Sequence, residues 1–127
     1  MKSSKKTLRW SFYSINLIVI IFYLYPGNLL ELIMHNNHKV ESDIPVNPFM
    51  LFNHFLGFAI LSISGIFAYK KTKKINFLIL YLVFLSIILE ISHLFITSRE
   101  FELNDLFQNM VAVISITLIY KVINRYV

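Results

Sequence analysis

Long uncharged apolar runs are the feature that most constrains how this chain can fold. Ile75 to Leu89 form one such run and Met110 to Ile119 form another. Backbone polar groups in lipid must be satisfied within the structure itself, so a single chain of this size crosses a membrane as helices. The chain is 57% hydrophobic and 15% charged. A soluble domain averages about 45–50% apolar and about 25% charged residues. The sequence therefore predicts an all-α integral membrane protein.

Four transmembrane helices are predicted. A helix rises about 1.5 Å per residue, so about 20 apolar residues cross a hydrocarbon core of about 30 Å. The basic start of the chain resembles that of a signal peptide, but no small-residue cleavage site follows, and we expect an uncleaved first span. Residues 1–127 then form a single transmembrane domain, with spans at about 10–25, 49–69, 75–95 and 106–123.

The predicted connections differ in polarity. Pro26-Gly27 is a turn pair that ends the first span. Residues 28–48 are the longest polar connection, in which 29–34 could form a short interfacial helix. His35 and His38 lie in this loop and are expected to be solvated.

The distribution of positive charge predicts the orientation. Most of the 12 lysines and arginines fall on one side of the predicted spans, namely Lys2, Lys5, Lys6, Arg9, Lys70, Lys71, Lys73, Lys74, Lys121 and Arg125. Only Lys39 and Arg99 fall on the other, and all acidic residues lie in that half. Because cytoplasmic loops are rich in Lys and Arg, we expect both termini in the cytoplasm and a multi-pass location in the inner (cytoplasmic) membrane. The lysines flank apolar runs, so nucleic-acid binding is not expected.

The stretch from Glu90 to Asn109 carries the chemistry and is predicted to face outward. Glu90 and His93 are three residues apart, and Asp105 and Asn109 four apart, so each pair shares a helix face. An ionisable residue inside an apolar segment costs about 2.5–3.5 kcal/mol on insertion scales, and for that reason suggests a functional site. Connectivity brings six residues to one membrane depth, and we call them the polar cluster: His54, Glu90, His93, Arg99, Asp105 and Asn109.

Structural explanations compete with a functional one. Glu90 could form a buried ion pair with Arg99. Asn104 and Asp105 precede an apolar run, and either could cap the fourth helix. Asn109 could bond a neighbouring backbone carbonyl. Tyr23 lies near a span end, as in the aromatic belts of membrane proteins.

The second span carries a stripe at three- and four-residue spacing. His54, Gly57, Leu61, Ser64 and Ala68 share one face. Small residues on such a face allow a neighbouring helix to approach closely. We therefore predict helix contact along this stripe.

A metal site is an open alternative. Glu90-x-x-His93 has the spacing of di-iron bundles, which repeat it on a second helix, whereas this chain has one copy. His54 and Asp105 could complete a set of four nitrogen and oxygen ligands, and an open zinc site needs three plus water. The chain has no cysteine, which excludes thiolate sites and disulfides. We expect no bound metal or other cofactor.

The polar residues resemble those of a known family. Glu90-x-x-His93, Arg99, Asp105-x-x-x-Asn109 and His54-Phe55 together resemble the membrane domain of VanZ-like proteins, over most of the chain. This resemblance implies about four transmembrane helices and an association with resistance to the lipoglycopeptide teicoplanin. The chain departs from the family at three places, with His93 for Gln, Met50-Leu51 for an Asp-Lys pair and Ala112 for Gly.

The leading hypothesis is a cell-envelope protein embedded in the lipid bilayer. Its polar cluster would bind a lipid-linked or amphiphilic envelope component, with Arg99 at an anionic head group and the other side chains orienting it. An integral-membrane enzyme acting on such a lipid, with Glu90 or His93 as general base or metal ligand, is the alternative. The third hypothesis is a scaffold protein in which the cluster only stabilises the contacts between helices. A homo-oligomer is compatible with all three.

Overall fold

The computed structural model describes residues 2–25, 48–70, 72–96 and 100–126, with side chains from residue 4 and, in the second segment, from residue 54. These residues form four helices: α1 (Lys2–Leu24), α2 (Pro48–Tyr69), α3 (Ile75–Ser92) and α4 (Leu103–Tyr126). A single 3₁₀ turn, His93–Phe95, ends α3. The described ranges contain no strand, so the predicted all-α class is confirmed. The predictions for the 28–47 loop, including His35 and His38, and for Arg99 lie outside the described residues.

Three stretches are long and apolar enough to cross a membrane. They are Ser4–Leu24, Ile75–Phe95 and Leu103–Tyr126, with mean hydropathies of 1.4, 2.3 and 1.7. Within α2, the apolar stretch with described side chains is shorter, His54–Tyr69. The chain is thus a helical protein with three candidate membrane spans among its described residues, whereas the sequence predicted four.

Consecutive helices run antiparallel, which gives the bundle two distinct ends. At one end the Tyr13 and Tyr69 hydroxyls lie 2.7 Å apart, and the Tyr120 hydroxyl donates to the Lys70 carbonyl at 3.1 Å. At the other end the Tyr23 hydroxyl donates to Asn109 Oδ1 at 2.6 Å. Exposed cations collect at the first end, which we call the basic end: Lys5, Lys6, Arg9, Lys70, Lys73, Lys74, Lys121 and Arg125. We call the second the cluster end.

The core lies along α2, which contacts all three other helices and packs most extensively on α4. Phe58, Leu61, Leu82 and Val113 are fully buried there. The outer surface is also apolar, with exposed side chains that include Ile18, Ile60, Leu80, Phe84, Ile88 and Leu118. Large apolar patches of this kind are rare on soluble monomers and suit contact with lipid.

Side chains of two neighbouring helices pack closely on Gly65. A Cβ atom there would meet Phe12 Cε2 at 3.0 Å and Leu78 Cδ2 at 3.1 Å, so α1 and α3 both press on this position. The predicted stripe is correct in burying Leu61 and Ala68. It is wrong about Gly57, because a Cβ atom there has no described neighbour within 4 Å. Sequence spacing identified one apolar face of α2, but neighbours pack on more than one.

Candidate functional site

Five members of the predicted polar cluster lie at the cluster end, contributed by three elements. His54 lies on α2, Glu90 on the last full turn of α3 with His93 in the 3₁₀ turn, and Asp105 and Asn109 lie on the first turns of α4. Glu90, His93 and Asn109 are buried, whereas the side chains of His54 and Asp105 are 16% and 20% exposed. The site is therefore a buried polar interior that reaches the surface at His54 and Asp105.

Glu90 is the most deeply placed charged side chain of the described residues. Its exposed fraction is 0%. Oε1 accepts a hydrogen bond from the Glu102 backbone N–H at 3.2 Å and lies 3.3 Å from His93 Nδ1. Oε2 lies 3.9 Å from His54 Nδ1 and has no hydrogen-bond partner among the described residues. Because a buried carboxylate oxygen is costly to leave uncompensated, Oε2 is the atom of this site that most needs a partner.

His93 connects Glu90 to α1. Its Nε2 lies 3.2 Å from the backbone carbonyl oxygen of Tyr23, which can only accept a hydrogen bond, so Nε2 carries a proton. Nδ1 lies 3.3 Å from Glu90 Oε1, so the imidazole bridges the Tyr23 carbonyl group and the Glu90 carboxyl group. His93 is a hydrogen-bonding partner of Glu90. The possible ion pair with Arg99 lies outside the described residues.

His54 and Asp105 form the open side of the site. His54 Nε2 lies 3.3 Å from Asp105 Oδ2. Because α4 begins at Leu103, Asp105 occupies the first helical turn and not the predicted cap position. A negative side chain in the first turn interacts favourably with the helix dipole. Asp105 on α4 and His54 on α2 thus form a polar contact between two helices.

Tyr23 is the site residue that the sequence did not reveal. It is 8% exposed, and its ring stacks on His93 at 5.8 Å between centroids and meets His54 edge-on at 5.0 Å. Its hydroxyl donates to Asn109 Oδ1, while Asn109 Nδ2 is buried with no partner among the described residues. Tyr23 lies near the end of its span, and its ring faces the other helices. The sequence signal that could have identified Tyr23 as a site residue is its predicted membrane depth, which is the same as that of His54.

Three of these side chains meet as potential metal ligands. His54, Glu90 and Asp105 each offer one ligand atom, and the three atoms lie within 4.8 Å of one another. His93 is not part of this set, and its ring nitrogens lie near Glu90 Oε1 and the Tyr23 carbonyl oxygen. The ligand-bearing residues are thus one from each of α2, α3 and α4.

Comparisons with protein-family models, with curated proteins and with solved structures find no match to this chain. The VanZ-like resemblance therefore remains a prediction from the quoted residues alone. The function of the cluster has to be argued from its geometry.

Proposed function

We propose that the chain is a four-span, VanZ-like protein of the bacterial cytoplasmic membrane, and that its polar cluster binds the head group of a lipid-linked or amphiphilic envelope component from outside. The observation that carries this proposal is the convergence of polar side chains from all four helices at one end, of which Glu90, His93 and Asn109 are buried. Among the described residues of the cluster, His54 and Asp105 are the partly exposed ones. A small number of convergent polar groups in an otherwise apolar region is a feature of ligand sites.

Two observations support the proposed orientation and number of spans. Exposed lysines and arginines gather at the basic end, which the positive-inside rule assigns to the cytoplasm together with both termini. The 22 residues of α2 would extend about 33 Å at 1.5 Å per residue, enough for a fourth span. The cluster end then faces outward.

The ligand class follows from the surroundings of the cluster. Asp105 and Glu90 offer acceptors, and His54 and Asn109 offer imidazole and amide groups, so a head group with hydroxyl, amide or ammonium groups would be complementary. Arg99 would meet an anionic part of the same ligand. Exposed Phe95, Leu103 and Phe107 lie near this end and would contact an acyl chain.

The test is teicoplanin susceptibility of a sensitive host. It would express the wild type, a Glu90→Gln/Asp105→Asn variant, or a Tyr13→Phe/Tyr69→Phe control that removes a hydrogen bond at the basic end, all at matched membrane levels. We expect protection by the wild type and the control but not by the cluster variant. Equal protection by all three would make the cluster structural. No protection by any would contradict the proposed resistance activity.

An enzyme acting on an envelope lipid is a second candidate. It is favoured by the buried contact of 3.3 Å between His93 Nδ1 and Glu90 Oε1, since imidazole and carboxyl groups are the side chains that most often act as general acids and bases. Mass spectrometry of membrane lipids from cells with the wild type or Glu90→Gln would test it. A lipid changed only by the wild type is expected of an enzyme, and identical lipids would eliminate this candidate.

A further inference from the structure

The ligand set of His54, Glu90 and Asp105 combines one imidazole nitrogen with two carboxylate oxygens. One atom from each lies within 4.8 Å of the others. Imidazole and carboxylate together suit first-row transition metals such as zinc, manganese and iron. Calcium takes six to eight oxygen ligands and magnesium keeps several waters, so neither matches this set as well. The donors thus indicate a transition-metal dication.

The buried Glu90 Oε2 atom gives independent evidence for a cation here. It belongs to a side chain with 0% exposure, has no hydrogen-bond partner among the described residues, and lies on the side of His54. The other oxygen, Oε1, is held by the Glu102 N–H and by His93. Carboxylates that bind metals are commonly oriented in this way, with one oxygen on the ion and outer hydrogen bonds fixing the group.

The distances between the three ligand atoms can be compared with those of a metal site. Zinc bonds of about 2.0–2.2 Å in a tetrahedron place ligand atoms about 3.4 Å apart. His54 Nε2 and Asp105 Oδ2 are 3.3 Å apart, whereas Glu90 Oε2 lies 3.9 Å from the other ring nitrogen, Nδ1. For one nitrogen to face both carboxylates, side chains have to rotate, and the full set, within 4.8 Å, has to contract by at most about 1.4 Å.

We propose that His54, Glu90 and Asp105 bind one first-row transition-metal dication, with zinc as the representative ion. Two carboxylates balance its charge, and the partly open side at His54 and Asp105 provides the entry path. Three protein ligands leave a position for water or for an anionic group of a ligand. His93 acts as a positioning residue that holds Glu90. The metal site goes beyond head-group binding and does not depend on it.

The experiment uses the full chain in detergent, purified without a polyhistidine tag. After incubation with Zn²⁺ and desalting, bound zinc is measured by mass spectrometry, and affinity by competition with a chelator. His54→Ala and Asp105→Asn change ligands on two different helices at the accessible side, where folding is least at risk. His35→Ala/His38→Ala is the matched control, because it removes two histidines that are not among the three proposed ligands. Each variant is checked for monodispersity and helical content.

We expect one zinc per chain in the wild type and in the control, and loss of stoichiometric zinc in both ligand variants. His93→Ala should weaken binding by about 10–100-fold, and His93→Gln should recover part of the loss because its amide can still donate to Glu90. Zinc should also raise the melting temperature of the wild type but not of Asp105→Asn.

Absence of bound zinc, cobalt and manganese in the wild type would overturn the proposal. Retention of zinc by both ligand variants, or its loss from the control, would do the same. These outcomes leave the teicoplanin test untouched, since that assay compares cells and requires no metal measurement.

Discussion

The two ends of the bundle both use tyrosine hydroxyls to join helices, but in different surroundings. At the basic end Tyr13 is 48% exposed, and its hydroxyl meets that of Tyr69. At the cluster end Tyr23 is 8% exposed, and its hydroxyl bonds the fully buried Asn109. The same side chain thus serves as an interfacial contact at one end and as part of a buried network at the other. Burial, and not residue type, distinguishes the candidate site.

The largest expected difference between the two ends of the bundle is the side of the membrane that each end faces. The chain has no cysteine, so Lys73→Cys at the basic end and Glu100→Cys at the cluster end each introduce a single thiol. We expect a membrane-impermeant maleimide added to intact cells to label Glu100→Cys only, because the positive-inside rule places Lys73 in the cytoplasm. Labelling of both in permeabilised cells is the control. The reverse pattern would overturn the proposed orientation.

Removal of the buried carboxylate should cost the most stability. Glu90→Ala would leave His93 Nδ1 and the Glu102 N–H without their hydrogen-bond partner, and each polar group left unsatisfied in a buried site costs about 1–3 kcal/mol. Denaturant unfolding in detergent would measure this loss. Lys73→Ala, at an exposed site on the basic end, is the matched control and should unfold like the wild type. Similar unfolding of both variants would show that Glu90 is not part of a stabilising network.

The tyrosine hydroxyls should differ by a smaller amount. Tyr23→Phe leaves the buried Asn109 Oδ1 without its donor, which we expect to cost about 1–3 kcal/mol. Tyr13→Phe removes a hydrogen bond that water can replace, so its effect should be clearly smaller. Unfolding of the two variants under one set of conditions makes the comparison. Equal losses would contradict the difference in burial on which the candidate site rests.

The glycines of α2 offer the finest comparison. Gly65, one turn from the basic end, is in close contact with Phe12 and Leu78, so Gly65→Ala should destabilise by about 1–3 kcal/mol through overpacking. Gly57, one turn from His54, has no described neighbour within 4 Å, so Gly57→Ala should be neutral or should stabilise the helix by about 0.5–1 kcal/mol. Thermal unfolding of both variants tests this. Destabilisation by Gly57→Ala would mean that the cluster end is as closely packed as the basic end.

Some features of this protein were determined by local sequence. Hydrophobicity is a property of each segment, so the apolar runs alone predicted the helical class and the candidate spans. Helix spacing and connectivity were enough to place Glu90, His93, Asp105 and Asn109 at the depth of His54. Those predictions required no knowledge of which face of each helix turns inward.

Only the tertiary structure decided which of these side chains contact one another. In the structure His93 lies against Glu90, and the Tyr23 ring stacks on His93. His54 lies beside Asp105. The glycine in close contact with neighbouring helices is Gly65 and not Gly57. The physical reason is that lipid and helix interface are similarly apolar, so a helix that is hydrophobic all round carries little sequence signal for its rotation. Side-chain packing sets that rotation, and rotation determines which polar atoms meet.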